Sequence, residues 1–236
     1  MSRTTLTEIK KGQTGTGLLI ENDGYISLSM EENKPLSESL KIGENGVWDL
    51  PRPFVLSAVL QKYGIENANK RIYPEQILKR EAEKYQKAID ERRAYGENNH
   101  PDSTNIDLSR ISLNIVEMHW VGHTLMGKIE IPITEGFRKY GIVSCQADHL
   151  AHLILSGLRV GVSSRGLGSV KNEFGRLVVD DDYEIVCWDA VSTPSTPGAW
   201  IGQNEEELRP YMESKTERKP LLKEDKFTKF EKWLSD

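Results

Sequence analysis

The chain has 236 residues, enough for one sizeable domain with extensions, and its 37% hydrophobic content permits a packed core. A net charge of -5 argues against a general nucleic-acid coat, which needs a clustered positive field. No apolar run approaches the roughly 20 residues that span a bilayer, and no signal-peptide pattern opens the chain. The two cysteines, Cys145 and Cys187, do not support a disulfide framework and favour a reducing compartment. Composition therefore predicts an intracellular globular protein without nucleic-acid or membrane partners.

Three regions differ in composition. Residues 1–50 are rich in Gly, Ser, Thr, Glu and Lys, and we expect an irregular N-terminal extension there, with room for one strand. Residues 51–203 carry the periodic apolar pattern of a mixed domain with more strand than helix. Residues 204–236 form a highly charged tail, helical in part, with one narrow apolar stripe. The predicted fold class is α+β, mainly β.

Two helices stand out in the central region. Apolar residues at helical spacing predict a helix over residues 74–94, which Gly96 would end. A second helix is predicted over residues 144–155, with Ser144 as its N-cap and Gly157 at its end.

Strands account for most of the remainder. Alternating apolar residues between 111 and 133 predict two strands. Another strand runs through Val160 and Val162 and leads into a glycine-rich turn. A hairpin follows, in which residues 176–179 and 183–191 are joined by a turn at residues 180–182.

Three segments together carry residues suited to acyl transfer. A serine hydroxyl needs a base to take its proton, a third group to orient that base, and donors for the oxyanion. The segments offer a candidate for each role. They are Gly96-Glu97-Asn98-Asn99-His100-Pro101, Gly161-Val162-Ser163-Ser164-Arg165-Gly166 and Trp188-Asp189-Ala190-Val191.

Strand alternation distinguishes the two serines. Ser164 shares a face with Val160 and Val162, the core side, whereas Ser163 shares the polar face with Arg165. Ser163 is therefore the better candidate nucleophile. A turn at Gly166 would expose amides that, with Arg165 or Ser164, could meet an oxyanion or substrate. A plain Ser-Gly turn without catalytic function fits the spacing as well.

Asp189 and His100 are the candidates for the other two roles. Asp189 shares a strand face with Ile185, Cys187 and Val191, and a carboxylate among apolar neighbours needs a partner such as histidine. A structural salt bridge explains Asp189 equally well. His100 sits in a polar turn, where a lone histidine is usually only solvated, so its interpretation depends on the other two segments.

These segments closely resemble the prohead core proteases of T4-type tailed bacteriophages. The resemblance covers residues 50–203 and keeps several uncommon motifs in order, with one departure at Asn98, where an apolar residue is expected. The matching stretches are Asn69-Lys70-Arg71-Ile72-Tyr73-Pro74, Gly-Glu-x-Asn-His-Pro ending at Pro101, Gly161 to Ser169, Asp189-Ala190-Val191, Pro194-Ser195 and Ala199-Trp200.

The resemblance implies an assemblin-like β-barrel surrounded by helices and a serine endopeptidase that needs no cofactor. Its nucleophile would be Ser163, its base His100 and, less securely, its third member Asp189. Scaffold and capsid proteins would be its substrates, inside the prohead in the host cytoplasm. The protease could also form a homo-oligomer, because assemblin relatives can depend on self-association.

The resemblance also implies synthesis as a precursor that trims itself after glutamate. An apolar residue two places before the glutamate marks Glu38, followed by Ser39, and Glu213, followed by Ser214. Residues 1–50 could then act as a pro-segment, and the tail could be removed. Glu135 fits the same pattern but lies within the expected folded domain.

Two other function classes remain open. His119 with His123, and His149 with His152, have spacings that suit a metal hydrolase, but no HExxH-type run occurs. A non-catalytic capsid or tail protein could use a related barrel, since fold does not fix function. Such a protein would have no reason to retain Ser163, His100 and Asp189 together.

Overall fold

The structure, a computed structural model, describes residues 7–21 and 49–202. Within these ranges it is a mixed α/β fold made mostly of strands, with three helices. The strands are β1 (Gly15–Ile20), β2 (Val55–Lys62), β3 (Arg71–Ile72), β4 (Tyr95–Glu97), β5 (Ile111–Val121), β6 (Thr124–Glu130), β7 (Gly161–Glu173), β8 (Arg176–Val179) and β9 (Glu184–Val191). The helices are α1 (Glu75–Asp90), α2 (Glu135–Tyr140) and α3 (Gln146–Leu155).

The strands form two sheets. In the five-stranded sheet, the long strand β7 pairs antiparallel with β1, β8 and β9, and β3 joins β8 in parallel. The four-stranded sheet is antiparallel throughout, in the order β2-β6-β5-β4. The sheets do not close into the β-barrel that the resemblance implied. None of the described helices is both long and apolar enough to cross a bilayer.

Apolar faces of α1 and α3 cover the strands. The apolar residues at helical spacing that predicted α1 are buried; they are Ile77, Leu78, Ala82, Tyr85 and Ala88. The Tyr85 ring meets Trp188 of β9 edge to face, with centroids 4.9 Å apart. Both rings belong to the larger core cluster, together with Val162 of β7 and Leu150 of α3. The strand that carries Ser163 is therefore fixed from its core side.

The predicted helices are present, but three details were wrong. Helix α1 ends at Asp90, and Gly96 lies in β4 rather than at a helix end. Helix α3 begins one residue after its N-cap Cys145, because Ser144 instead hydrogen-bonds the Asp148 carboxylate. Helix α2 was not predicted; it is only six residues long, and the Thr134 side chain caps it.

One predicted turn is absent, and the turn predicted at residues 180–182 is present but does not form a hairpin. The strand through Val162 does not enter a turn: β7 continues to Glu173. A Cβ on Gly166 would lie 2.5 Å from the Tyr183 ring, so this glycine makes room for an aromatic side chain. The hairpin joins β7 to β8 through Phe174 and Gly175, whose φ values of 51° and 83° suit a tight turn. Residues 180–182 instead link β8 to β9, which run in the same direction along β7.

A buried carboxylate ties three distant segments together. Glu21, just after β1, is 1% exposed and accepts side-chain hydrogen bonds from five residues, at 2.5–3.0 Å. Its backbone N–H donates to the carbonyl oxygen of Ser164. Four of the donors come from the segment around β3 that carries the Asn-Lys-Arg-Ile-Tyr-Pro motif. The five donors are Asn67, Asn69, Arg71, Tyr73 and Ser195.

We expect Glu21→Ala to lower the free energy of unfolding by about 3–5 kcal/mol, because Arg71 would be left buried without its ionic partner. Urea denaturation of the purified protein would measure the change. Glu135→Ala is the matched control, since Glu135 also pairs with an arginine, Arg52, but both side chains are more than half exposed. Equal losses in the two variants would contradict the structural role of Glu21.

Gly96→Ala should destabilise the protein strongly, since its Cβ would lie 2.1 Å from the carbonyl oxygen of Trp188. Backbone cannot yield as a flexible side chain does, so β4 would have to move away from β9. Gly136→Ala, inside α2, meets nothing nearer than 3.8 Å and should be neutral or slightly stabilising. Thermal unfolding of both variants tests this difference; a normal melting temperature for Gly96→Ala would refute it.

Candidate active site

Strands β7 and β9 bring two of the candidate site residues together. In their antiparallel register Ser163 lies opposite Asp189, so both side chains project from the same face of the sheet. Ser163 is 1% exposed and Asp189 is 0% exposed. Residues opposite each other in such a pair have Cβ atoms about 4.5–5.5 Å apart. The register alone therefore makes Ser163 and Asp189 neighbours.

His100 reaches Asp189 from the loop after β4. The loop is fastened to β9, because the backbone N–H of Asn99 donates to the carbonyl oxygen of Ala190 at 2.8 Å. Asn99 adopts φ 64°, a left-handed conformation that asparagine tolerates better than most residues. The imidazole Nδ1 of His100 lies 2.7 Å from Oδ2 of Asp189. Three segments distant in sequence thus meet at one point.

The Asp189 contact sets the proton arrangement of His100. A carboxylate only accepts hydrogen bonds, so in the neutral imidazole Nδ1 carries the hydrogen and Nε2 has the lone pair. Within the described part of the chain, Nε2 of His100 and Oγ of Ser163 are buried without a hydrogen-bond partner. Nucleophilic acyl transfer requires a hydroxyl and a base that can accept its proton. Ser163 and His100 supply these two groups, and both lie next to Asp189.

Asp189 is held as an anion despite its burial. Burial alone would raise its pKa, but the hydrogen bond and charge of His100, the Arg165 charge and the N–H of Glu97 together bring the pKa below its usual value. The Cys187 thiol, 3.3 Å from Oδ1, has a pKa well above its usual value, mainly because it is buried. Cys187 therefore stays a neutral thiol beside Asp189.

Arg165 was expected to contact an oxyanion or substrate, but it lies in the protein interior. Its guanidinium is completely buried and faces Asp189 rather than an open substrate site. Each guanidinium nitrogen already donates to a protein group: Nε to Asp189 at 3.0 Å, Nη1 to the carbonyl oxygen of Ser103, and Nη2 to Glu97. Its pKa is raised above the usual value, because the neighbouring acidic groups outweigh the effect of burial. The side chain is thus engaged in holding carboxylates.

Glu97, known from the sequence only as part of the Gly-Glu-x-Asn-His-Pro motif, also lies in this cluster. Its side chain is 0% exposed, and Oε2 lies 2.5 Å from Nη2 of Arg165. Its Oε1 accepts the backbone N–H of Asp107 at 3.0 Å. The only available signal was its place in the Gly-Glu-x-Asn-His-Pro run, since its partner lies 68 residues away.

Ser164 and Gly166 occupy positions unlike those of a turn. Ser164 lies opposite Trp188 in the β7–β9 register and is 2% exposed, with its hydroxyl unpartnered within the described residues. Gly166 lies between Leu19 of β1 and Ile185 of β9 in the sheet, so the predicted turn with exposed amides is absent at this position. The candidate cleavage residues Glu38 and Glu213 lie outside the described residues, as does the apolar stripe of the tail.

The histidine pairs do not gather further ligands. His123 follows β5, and His149 and His152 are exposed on α3. Within residues 7–21 and 49–202, no group of three or more His, Cys, Asp or Glu side chains could hold a metal ion. The geometry offers no support for the metal-hydrolase alternative among these residues.

Comparison with known proteins identifies the family. Residues 18–208 match the model of a protein family described as "Prohead core protein serine protease". The prohead core protein protease of Enterobacteria phage T4 is 35% identical over 153 residues, 64% of this chain and 68% of that protein. The solved bacteriophage T4 capsid assembly protease matches with a TM-score of 0.55 and 26% identity, covering 74% of this chain and 96% of that one. This chain therefore belongs to the prohead core protein serine protease family.

Proposed function

We propose that this protein is a serine endopeptidase of phage prohead maturation, with Ser163 as nucleophile, His100 as general base and Asp189 as the residue that orients the base. The observation that carries the proposal is the 2.7 Å contact between Nδ1 of His100 and Asp189, which lies opposite Ser163 in the sheet. The contact leaves Nε2 as the acceptor that a serine hydroxyl needs.

Acylation begins when Nε2 of His100 takes the hydroxyl proton as Oγ of Ser163 bonds to the scissile carbonyl carbon. The imidazolium is stabilised by the Asp189 carboxylate. The C–N bond then breaks, and the leaving amine takes the proton from Nε2. In the second half, water gives a proton to Nε2 and bonds to the acyl carbon, and Ser163 regains its proton as the acid product leaves.

The oxyanion needs donors that are not already engaged. Of the three residues that the sequence analysis offered, Arg165 donates from all its nitrogens to protein groups. Gly166 is paired on both sides, with Leu19 of β1 and Ile185 of β9, whereas the ladder pairs Ser164 only with Trp188 of β9. We assign the oxyanion contact to the backbone N–H of Ser164, the residue that follows the nucleophile.

Burial of the reactive groups supports a precursor form. Ser163 is 1% exposed, and the His100 side chain is 2% exposed, so a peptide reaches them only after neighbouring residues move. We propose that the protein is a zymogen that trims itself after Glu38 and Glu213. We propose residues 51–203 as the protease domain, 1–50 as an extension with pro-segment character, and 204–236 as a removable tail.

The substrates and setting follow from the family. We propose that phage scaffold and capsid proteins are cut after glutamate, inside the prohead in the host cytoplasm. The relative from Enterobacteria phage T4 is a prohead core protein protease, which supports this assignment. A homo-oligomer is proposed on the same resemblance.

A peptide containing Leu-Ser-Glu-Ser should be cut after its glutamate by the wild-type protein. Ser163→Ala should lower kcat/KM by about 10⁵–10⁶-fold, because the attacking oxygen is gone. Ser164→Ala is the matched control and should retain activity within about tenfold, because Ser164 lies opposite core residue Trp188 and its N–H is unchanged. Mass spectrometry of the products measures both. A non-catalytic structural protein would cut nothing, and cleavage by Ser163→Ala would refute the assignment.

Self-trimming predicts fragments ending at Glu38 and Glu213 in active protein, and intact chains in Ser163→Ala. Denaturing mass spectrometry should separate residues 1–38, whereas native mass spectrometry should keep them bound. The fragment should stay bound because β1 pairs with β7 and the Glu21 carboxylate accepts hydrogen bonds from five side chains of the remaining chain. The bond after Glu135 is an internal control and should stay intact, since Glu135 begins α2. Identical termini in both proteins would rule out self-trimming.

A further inference from the structure

The active-site carboxylate belongs to a larger group of buried charges. Arg165 lies between two carboxylates, with Nη2 2.5 Å from Glu97 and Nε 3.0 Å from Asp189, and all three side chains are 0% exposed. Asp189 in turn contacts His100 at 2.7 Å. The charges thus form a continuous series from Glu97 through Arg165 and Asp189 to the imidazole.

Arg165 holds Asp189 by both carboxylate oxygens. Nε donates to Oδ2 at 3.0 Å and Nη2 to Oδ1 at 3.3 Å, while the N–H of Glu97 adds a bond to Oδ1 at 2.9 Å. A carboxylate fixed at both oxygens cannot rotate away from the imidazole. Planar guanidinium groups suit this paired contact better than ammonium groups do.

The same arginine has an electrostatic drawback. Its positive charge next to Asp189 weakens the attraction between that carboxylate and an imidazolium. Glu97 offsets the effect: the charges of Glu97, Arg165 and Asp189 sum to minus one, as for an isolated carboxylate. Proton uptake by His100 then brings the buried group close to neutrality.

Other charged or titratable groups near Glu97, Arg165 and Asp189 do not replace Glu97. The Cys187 thiol and the Tyr85 phenol have pKa values raised well above their usual ranges, mainly by burial, and stay neutral. Arg110, after the loop, is 42% exposed and lies 3.8 Å from Glu97. Arg93 is more than half exposed and pairs with Glu91. Glu97 is thus the buried anion that faces Arg165 from β4.

We propose that Glu97 is a positioning residue for the peptidase reaction: through Arg165 it holds Asp189 and balances the guanidinium charge, so that His100 accepts the serine proton. The inference rests on the proposed function for its kinetic consequences. Its geometric basis, the Glu97–Arg165–Asp189 series, is independent of which peptide is cut.

Opposite charge changes should shift the pH profile in opposite directions. Glu97→Gln removes a negative charge and should move the acidic limb of kcat/KM to lower pH by about one unit, because the imidazolium loses stabilisation. Arg165→Met removes a positive charge and should move the limb to higher pH by a similar amount. Both variants should lower kcat at the optimum by about 10- to 100-fold, because Asp189 is held less firmly.

The double variant keeps the test decisive if Glu97→Gln alone does not fold. Removing both charges restores the net charge that the buried group has in the wild-type protein. The variant with both Glu97→Gln and Arg165→Met should therefore have the acidic limb of its kcat/KM profile near the wild-type position, while its kcat stays low. A double variant identical to Arg165→Met would overturn the proposal, as would single variants that shift in the same direction. Glu117→Gln, an exposed carboxylate paired with Lys128, controls for general charge effects.

An NMR titration of the His100 ring, carried out in Ser163→Ala protein, separates this inference from the proposed function. The ring signal would be assigned by its loss in His100→Gln. Glu97→Gln and Arg165→Met should displace its titration midpoint in opposite directions even if no peptide is ever cut. Unchanged midpoints in folded variants would overturn the role of Glu97 without bearing on the peptidase assignment.

Discussion

The Asp189 carboxylate, 0% exposed, accepts hydrogen bonds from His100 and Arg165 at the same oxygen. Because it is closed off from water, every interaction that holds it comes from protein groups. The β7–β9 register places it opposite Ser163, and the loop after β4 brings His100 to it. If this carboxylate were absent, the buried Arg165 would lose a partner and the imidazole would lose its orientation. The proposed chemistry therefore depends on this one group.

Two buried acid–arginine pairs connect β7 to the rest of the chain. Glu97 pairs with Arg165 near the proposed nucleophile, and Glu21 pairs with Arg71 where β1 ends. Buried ion pairs are poor sources of net stability, since desolvation opposes their attraction. Their effect here is to define position, because each makes one arrangement of distant segments much lower in free energy than arrangements that leave a buried charge unpaired. Both acids also use their backbone N–H groups, Glu21 toward Ser164 and Glu97 toward Asp189.

Sequence reasoning succeeded where the signal was local. Helical spacing located α1 and α3, and strand alternation placed Ser163 and Ser164 on different faces of β7. It failed where glycine was interpreted as a turn or a helix end: Gly166 gives room to the Tyr183 ring, and Gly96 lies against the backbone of Trp188. A glycine required by a distant contact looks the same in sequence as one required by a positive φ. The polar residues 180–182 do form a turn, but the strands on either side of it pair with β7 and not with each other, which local sequence does not show.

Among the site residues, too, local motifs were visible in the sequence and contacts between distant residues were not. Motif resemblance selected His100 and Asp189, but the role of Arg165 could not be seen without its partner. An arginine next to a candidate nucleophile suggests an oxyanion ligand as long as its partners are unknown. Glu97 carried no signal beyond its motif, because its function depends on a contact across 68 residues. Long-range charge pairing is thus the information that local patterns lack.

Within the site, the charged groups are hydrogen-bonded, whereas the two atoms proposed to exchange a proton are not. The charged groups of Glu97, Arg165 and Asp189 are all partnered, as buried charges must be. By contrast, Nε2 of His100 and Oγ of Ser163 are unpartnered within the described residues, although both are buried. Leaving a buried polar atom unmet costs free energy, about 1–3 kcal/mol each, unless something else uses it. A substrate that completes the proton path from Ser163 to His100 would give these two atoms their partners, whereas the Ser164 hydroxyl, also unpartnered among the described residues, lies opposite the core residue Trp188.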